Sequence, residues 1–418
     1  MLSSLGNILA ITELRSKLFF TLVMFAVFRI GVHIPAPGVD PAAIEQLFAG
    51  GNLFGLLDIF AGGALSKFSI FAMSITPYIN ASIILQLLTV VVPALEKLSK
   101  EGVEGRKKIT QFTRYGTVLL GFLQAVGMAY GLRSAMHNPG HLNILLVALT
   151  LTAGTVLLMW IGEQITEHGI GNGISLIIFA GVVSRVPDGI VVIFEYLQAG
   201  TINLFQLALF LLIAMVMVVF VIGIQQGMRK ISVHYAKRVV GRKMYGGHTS
   251  YLPLKVNQAG VIPIIFASSV LMFPTTIGQF VDIEWVRTVA GWFDWGSPLQ
   301  TVLYVLLIIG FTYFYSEITM NIPDMADNMK KYGGFIPGIR PGKPTADYLD
   351  RIMTRINLAG AIFLALIAIL PNFVAFLTGI QGVYFGGTAL LIVVGVALDT
   401  MKQIESLVLM RHYQGFMK

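Results

Sequence analysis

The chain has no cysteine and few charged residues. Without cysteine, disulfides, thiolate metal sites and cysteine nucleophiles are all excluded. Only 12% of the 418 residues are charged, against about 25% in a typical soluble protein, and 56% are hydrophobic. A soluble core does not account for this composition, but a lipid environment does.

Apolar runs of about 20 residues recur along the whole chain, and each is long enough to cross a hydrocarbon core of about 30 Å. The first run continues past Arg29 to Pro35 without a small-residue cleavage site, so we interpret it as a retained helix. The fifth is interrupted at Arg185, Pro187 and Asp188. We therefore predict an all-α polytopic membrane protein with ten transmembrane helices. The predicted spans are 18–33, 68–92, 110–133, 143–164, 171–195, 203–226, 258–278, 299–319, 355–377 and 384–404.

Positive charge is distributed unevenly between the loops that these spans define. Of the 29 Lys and Arg residues, 24 fall in the loops on the side of both termini, one lies within the first helix, and the other loops hold only Lys67, Arg133, Arg185 and Arg287. Because Lys and Arg accumulate in cytoplasmic loops, this asymmetry places both termini in the cytoplasm.

Two of the basic loops carry features beyond the topology signal. Residues 229–256 alternate apolar and polar side chains and turn near Gly246-Gly247, which predicts a basic β-hairpin. Residues 321–354 place basic side chains among Gly and Pro. Two interpretations remain open: the charge serves only topology, or the loops dock an acidic partner such as ribosomal RNA phosphate.

The apolar stretch from Asn52 to Pro93 is too long for one helix, since about 40 residues of straight helix would span about 60 Å. We predict a break at Gly62-Gly63, because glycine weakens a helix. The short piece before the break either lies at the membrane interface or lines a cavity inside the protein. Five spans in each half would also give the halves opposite orientations, as in inverted repeats.

The chain offers little for chemistry. Acidic residues of the spans lie near their ends, at Glu163, Glu167, Glu317 and Asp399, where a structural role is favoured over ion coupling. The Gly-rich segment 169–173 follows a membrane helix instead of a strand, so we interpret it as a tight turn and not a nucleotide loop. A small-solute transporter would need a polar site at the midplane, and an intramembrane hydrolase would need its catalytic set. We find neither, and we predict no enzyme activity and no cofactor or metal.

Several segments, in order along almost the whole chain, resemble the SecY family of protein-export channels. They are Phe60-Ala61-Gly62-Gly63-Ala64-Leu65-Ser66, Thr76-Pro77-Tyr78-Ile79-Asn80-Ala81-Ser82, Gly169-Ile170-Gly171-Asn172-Gly173-Ile174-Ser175, Leu252-Pro253-Leu254-Lys255-Val256-Asn257 and Phe335-Ile336-Pro337-Gly338-Ile339-Arg340-Pro341-Gly342.

The resemblance implies a channel of two inverted five-helix halves, 1–199 and 200–418, around an hourglass pore. Its narrowest point would be a ring of apolar side chains that excludes water and ions, closed by a plug at about 54–66. The ring candidates are Ile75, Ile79, Ile178, Ile265, Ile277 and Ile392. The plug candidates are Phe54, Leu57, Asp58, Phe60, Gly62, Gly63 and Leu65. Asp58 departs from the neutral residues expected there, so plug seating would depend on its protonation or on a partner.

The resemblance further implies that the channel passes unfolded secretory proteins and releases signal sequences and membrane helices sideways into lipid. A lateral gate would open between the second and third helices on one side and the seventh and eighth on the other, with Gln86, Gln124 and Asn257 as polar candidates. Ordinary interhelical hydrogen bonding is the alternative role for these three.

The implied partners are SecE, SecG, the SecA ATPase, the ribosome and signal-sequence-bearing polypeptides, in the bacterial inner membrane. The docking candidates for SecA or the ribosome are Lys237, Arg238, Arg242, Lys243, Arg340 and Lys343.

Overall fold

The protein is described by a computed structural model. It describes residues 11–40, 44, 58, 61–137, 140–235, 238–240, 243–245, 249–280, 285, 288, 291–293, 297–378 and 387–415.

Helices dominate the described chain. They are α1 Thr12–Gly31, α2 Thr76–Val91, α3 Pro93–Lys100, α4 Val103–Gly131, α5 His141–His168, α6 Gly173–Ser184, α7 Val186–Gln198, α8 Leu204–Gln226, α9 Ile262–Phe280, α10 Pro298–Thr319, α11 Ile322–Lys331, α12 Lys343–Thr378 and α13 Gly387–Gly415. The strands are β1 Met228–Tyr235, β2 Arg238–Val240, β3 Lys243–Tyr245, β4 Thr249–Lys255 and β5 Gly334–Phe335.

Polar residues mark several helix starts. The side chain of Asn172 accepts a hydrogen bond from the backbone of Ser175 before α6, and Asn203 forms a reciprocal capping box with Gln206 before α8. Ser297 caps α10 in the same way, directly ahead of Pro298. These caps fix where the chain leaves each turn and begins its next apolar helix.

Five helical segments in the described part of the chain are long and apolar enough to cross a membrane. They are His141–His168, Gly173–Gln198, Leu204–Gln226, Pro298–Lys331 and Lys343–Pro371. Helices α2 and α3 form a sixth candidate, bent by 100° at the break between them. The full count of ten spans stays a prediction.

The second predicted span, 68–92, is wrong at its start. Residues 61–75 form turns, and α2 begins only at Thr76. Phe68 and Ser74 have positive φ angles of 42° and 53°, and Pro77 lies at the first positions of α2, where proline favours a helix start. The predicted break at Gly62-Gly63 is confirmed, since both glycines have positive φ.

Three other boundary predictions have clear outcomes. The fifth span is interrupted as predicted, because α6 ends at Ser184 and α7 begins at Val186. The tight turn at 169–173 is confirmed, with Gly171 at φ 85°. The predicted start of the ninth span, residue 355, is wrong for the helix as a whole, because α12 begins at Lys343. Residues 343–354, predicted to be loop, are therefore helical.

The predicted β-hairpin is confirmed, and Gly246-Gly247, where its turn was predicted, lie outside the described residues. Strands β1 and β4 pair antiparallel, and within the hairpin β2 pairs with β3 so that Val240 opposes Lys243. That register reverses the chain between residues 240 and 243. Alternation of apolar side chains identified the ladder, but glycines alone did not identify the reversal.

The two basic loops form one structure. Strand β5, from the second loop, pairs with the end of β1 in the first, giving a sheet of order β4-β1-β5. The sheet packs against the N-terminal turns of α12 through an apolar cluster. Its buried members are Ile231, Leu254, Ile336, Leu349, Ile352, Met353 and Ile356.

Truncating Leu254 tests this cluster. Leu254 is 1% exposed, so we expect Leu254→Ala to destabilise the joined loops by about 2–5 kcal/mol through lost burial and the cavity left behind. Limited proteolysis within the hairpin should accelerate in membranes. The control is Tyr251→Ala, because Tyr251 is 61% exposed on the same strand. Equal cleavage of both variants would contradict the claim that burial of Leu254 stabilises the joined loops.

Helices α1, α2, α4, α5 and α6 contact one another, as do α8, α9, α10, α12 and α13. Between these two groups, α9 contacts α2 and α4, and α13 contacts α6. Each group surrounds its own apolar cluster, and three residues of α13, Ala389, Ile392 and Val396, belong to the cluster of the first group.

Candidate functional site

Four of the six ring candidates lie in or against the apolar cluster of the first helix group. Ile75, at the start of α2, Ile178 of α6 and Ile392 of α13 are buried in one apolar cluster, and Ile79 of α2 packs against it half-buried. These side chains come from three different helices, so their proximity is a tertiary feature. All four are branched aliphatic residues that offer no hydrogen bond to water or to an ion.

The remaining ring candidates lie on α9. Ile265 is half-buried one turn after Val261, which packs against the same cluster. Ile277 lies on the described backbone of α9, but its side chain lies outside the described residues.

The turns at 61–66 pack into this same cluster. Ala61, Ala64 and Leu65 are at most 1% exposed and share the cluster with Ile75 and Ile178. The plug candidates Phe54, Leu57 and Phe60 lie outside the described residues. A non-helical segment thus packs in the same apolar cluster as the ring candidates Ile75, Ile178 and Ile392.

Asp58 organises these turns from a buried position. Its Oδ1 accepts hydrogen bonds from the backbone N–H groups of Leu65 and Ser66, both at 2.9 Å. Its carbonyl oxygen accepts from the N–H of Gly63 at 3.0 Å. A carboxylate buried to 1% exposure needs such partners, because a buried charge without them is costly.

Two arginines from outside the turns also reach this segment. Arg185, between α6 and α7, forms an ion pair with Oδ2 of Asp58, which is the partner that the sequence left open. Arg29, in the last turn of α1, donates to the carbonyl oxygen of Gly62 at 2.9 Å. Sequence reasoning assigned neither arginine to the site. The sequence feature that could have identified them is that both arginines interrupt apolar spans.

The lateral-gate candidates lie on neighbouring elements. Gln86 and Gln124 are half-buried on α2 and α4, which both contact α9. Asn257 is buried in the bend that precedes α9, where its Nδ2 donates to the carbonyl oxygen of Gly260 at 3.1 Å. Its Oδ1 is buried without a hydrogen bond from any described residue.

The docking candidates divide by loop. Arg340 and Lys343 are exposed, immediately before and at the start of α12. Arg238 and Lys243 lie on the backbone of β2 and β3, and Lys237 and Arg242 lie outside the described residues. Because β5 pairs with β1, the two loops that carry these residues are adjacent.

Comparison with known proteins identifies the family. The family model described as SecY matches residues 69–401. The chain belongs to the SecY family. It is 49% identical to the protein translocase subunit SecY of Halalkalibacterium halodurans, with all of both chains covered. It is 44% identical to that of Escherichia coli K12, covering 97% of this chain and 94% of the relative.

Solved structures of SecY-type channels share the fold. One described as a protein-conducting channel superposes with a TM-score of 0.68 at 19% identity, covering 94% of this chain and 92% of the other. A canine Sec61 in a ribosome–channel complex gives 0.65 at 18% identity, with the same coverage. With its several apolar spans, this SecY-family chain is a polytopic membrane protein.

Proposed function

We propose that the chain is the central protein-conducting channel of a Sec translocase, passing unfolded polypeptides between two five-helix halves, 1–199 and 200–418. One observation carries the proposal: the turns at 61–66 share one buried apolar cluster with Ile75, Ile178 and Ile392, which come from three helices. A closed polypeptide channel requires an apolar constriction and a plug that a translocating chain can displace. Relatives called protein translocase subunit SecY support it.

The proposed mechanism is physical. When no polypeptide occupies the apolar ring, the ring closes and excludes water. Ions therefore cannot cross it without losing their hydration. The plug, about 54–66, adds a second barrier beneath the ring. A translocating chain displaces the plug and fills the ring itself, and branched aliphatic side chains seal around any sequence because they make no specific hydrogen bonds. The channel is passive, and a SecA-like ATPase or translation supplies the energy.

Sideways release of apolar segments uses the contact of α9 with α2 and α4. In the proposed closed state these helices touch, and their separation would open a path from the pore to lipid. Gln86, Gln124 and Asn257 lie on or beside the separating elements, so they would be exposed to the passing segment when the gate opens. A sufficiently apolar segment would then partition into the hydrocarbon core.

The joined basic loops provide the proposed docking face. Arg340 and Lys343 are exposed in the loop that contributes β5 to the β4-β1-β5 sheet, and the charge asymmetry of the loops supports a cytoplasmic position for this face and for both termini. SecA and the ribosome would bind there, SecE and SecG would bind within the membrane, and the compartment would be the bacterial inner membrane. One solved relative is described as part of a ribosome–channel complex.

The proposal is tested in vesicles that carry this chain with its SecE partner. With SecA, ATP and a secretory precursor outside, we expect the precursor to become protected from added protease. Vesicles without the chain serve as the control. Protection equal to that control, with the chain correctly inserted, would overturn the channel function, and uptake of small solutes instead would favour a transporter.

A further inference from the structure

Two arginines, one in α1 and one between α6 and α7, contact Asp58 and the turns at 61–66. We propose that Arg29 and Arg185 form a latch that keeps the plug seated, with Arg185 binding the carboxylate of Asp58 and Arg29 binding the carbonyl oxygen of Gly62. The inference rests on the proposed function, because a latch has meaning only for a plug that leaves. It assigns to both arginines a positioning role at the pore.

The two oxygens of the Asp58 carboxylate have separate tasks. Oδ1 accepts from the N–H groups of Leu65 and Ser66 and so closes the turn within the plug. Oδ2 pairs with Arg185, which connects α6 and α7 outside the plug. The same carboxylate therefore links the turn within the plug to Arg185 outside it. Arg185 also donates to the hydroxyl of Ser66, at 3.3 Å, which adds a second contact on the plug.

Arg29 provides the second contact that holds the plug in its seated position. Its Nη1 donates to the Gly62 carbonyl at 2.9 Å and lies 3.2 Å from the hydroxyl of Ser184. Ser184 in turn donates to the carbonyl of Gly181 within α6, at 2.7 Å. Through these bonds α1 and the end of α6 contact the plug at one point. A Cβ at Gly62 would lie 2.9 Å from the Cα of Gly181, so the plug backbone approaches α6 closely there.

The apolar contacts of this segment are small. Two of its buried residues are Ala61 and Ala64, whose side chains bury little surface, and Leu65 is the largest described apolar side chain in 61–66. The ion pair contributes differently, because removing Arg185 would leave the buried carboxylate of Asp58 without its charged partner. We therefore expect the seated state to depend strongly on Asp58 and Arg185, and the released state to hydrate both groups.

The absence of cysteine makes the latch measurable. Ala64 is 0% exposed, so an Ala64→Cys reporter reacts with a membrane-impermeant maleimide only when the plug leaves its seat. Labelling rates are compared in vesicles carrying the channel with its partner subunits. Asp58→Asn removes the charge but keeps an oxygen for the Leu65 and Ser66 N–H groups. Arg185→Gln removes the other charge.

We expect either single variant to accelerate labelling by about tenfold or more. The double variant should label no faster than the quicker single variant, because both substitutions break the same interaction. Asp188→Asn is the matched control. Asp188 contacts the same guanidinium at 3.2 Å, but it is 61% exposed, and labelling should stay within about twofold of the parent.

Unchanged labelling in Asp58→Asn and Arg185→Gln, with normal precursor transport, would overturn the latch and leave the channel function standing. Failure of transport in the Ala64→Cys parent and in the unmodified chain would instead count against the function. If Arg185→Gln does not accumulate in membranes, the labelling rate of Arg29→Gln provides a second test. This substitution leaves no buried carboxylate without its charged partner. We expect about threefold faster labelling from the loss of the Gly62 bond, and an unchanged rate would also overturn the latch.

Discussion

Replacing Ile79 and Ile265 by asparagine is expected to make the resting channel leak ions. Both side chains are half-buried, and they lie on α2 and α9, which belong to different helix groups. An amide in the ring would hold water where an aliphatic chain holds none, and so lower the barrier to ions. Each 1.4 kcal/mol removed from that barrier raises the flux about tenfold. Conductance of the purified channel in planar bilayers measures the effect.

The leucine variants provide the control for this prediction. Ile79→Leu with Ile265→Leu keeps an apolar side chain of the same size, so the constriction should stay dry and the conductance should match the parent. Equal conductance of the asparagine and leucine channels would remove both residues from the pore ring. A leak in both would instead point to a packing defect, because the leucines add no polar group.

Reversing the charge of Arg340 is expected to abolish SecA-driven transport without preventing membrane insertion. Arg340 is exposed in the second of the joined basic loops, where a positive side chain would pair with an acidic docking partner. Arg340→Glu replaces attraction by repulsion at one point of the interface, and like charges across an interface cost several kcal/mol. We expect the yield of protease-protected precursor to fall at least about tenfold.

Lys97→Glu is the matched control for the docking prediction. Lys97 is also exposed and carries the same charge, but it belongs to α3 and not to either of the two basic loops. Its reversal should leave transport near the parental yield. Normal transport in Arg340→Glu would discard Arg340 as a docking contact and keep the channel, whereas equal losses in both variants would indicate a general effect of surface charge.

The sequence predicted the fold well where a local pattern has only one physical solution. An apolar stretch longer than the membrane has to break, and the paired glycines indicated where. Alternating residues predicted the hairpin ladder. Apolarity alone could not distinguish residues 68–75 from helix, because buried turns are as apolar as a span. Their turns follow from tertiary contacts, including the isolated bridge between Pro35 and Ser69.

The site was harder to predict because its contacts are distant in sequence. Resemblance to the family selected the ring and plug candidates, and Ile75, Ile79, Ile178 and Ile392 lie in or against one apolar cluster. It also pairs Arg185 with Asp58 and with Ser66, which is 119 residues away along the chain. No local spacing predicts such a pair. The charges were visible as interruptions of apolar runs, but their partners required the fold.

The central claim is that a polypeptide passes through the ring between the two helix groups. The most direct test arrests a precursor in transit and asks which residues of α2 can form a disulfide with a single cysteine in it. The cysteine-free chain allows Ile79→Cys to be compared with Ile84→Cys, since Ile84 is 45% exposed on the outer surface of the same helix. The account predicts a disulfide from position 79 and none from position 84. Crosslinking from position 84 but not from 79, while transport proceeds, would contradict it.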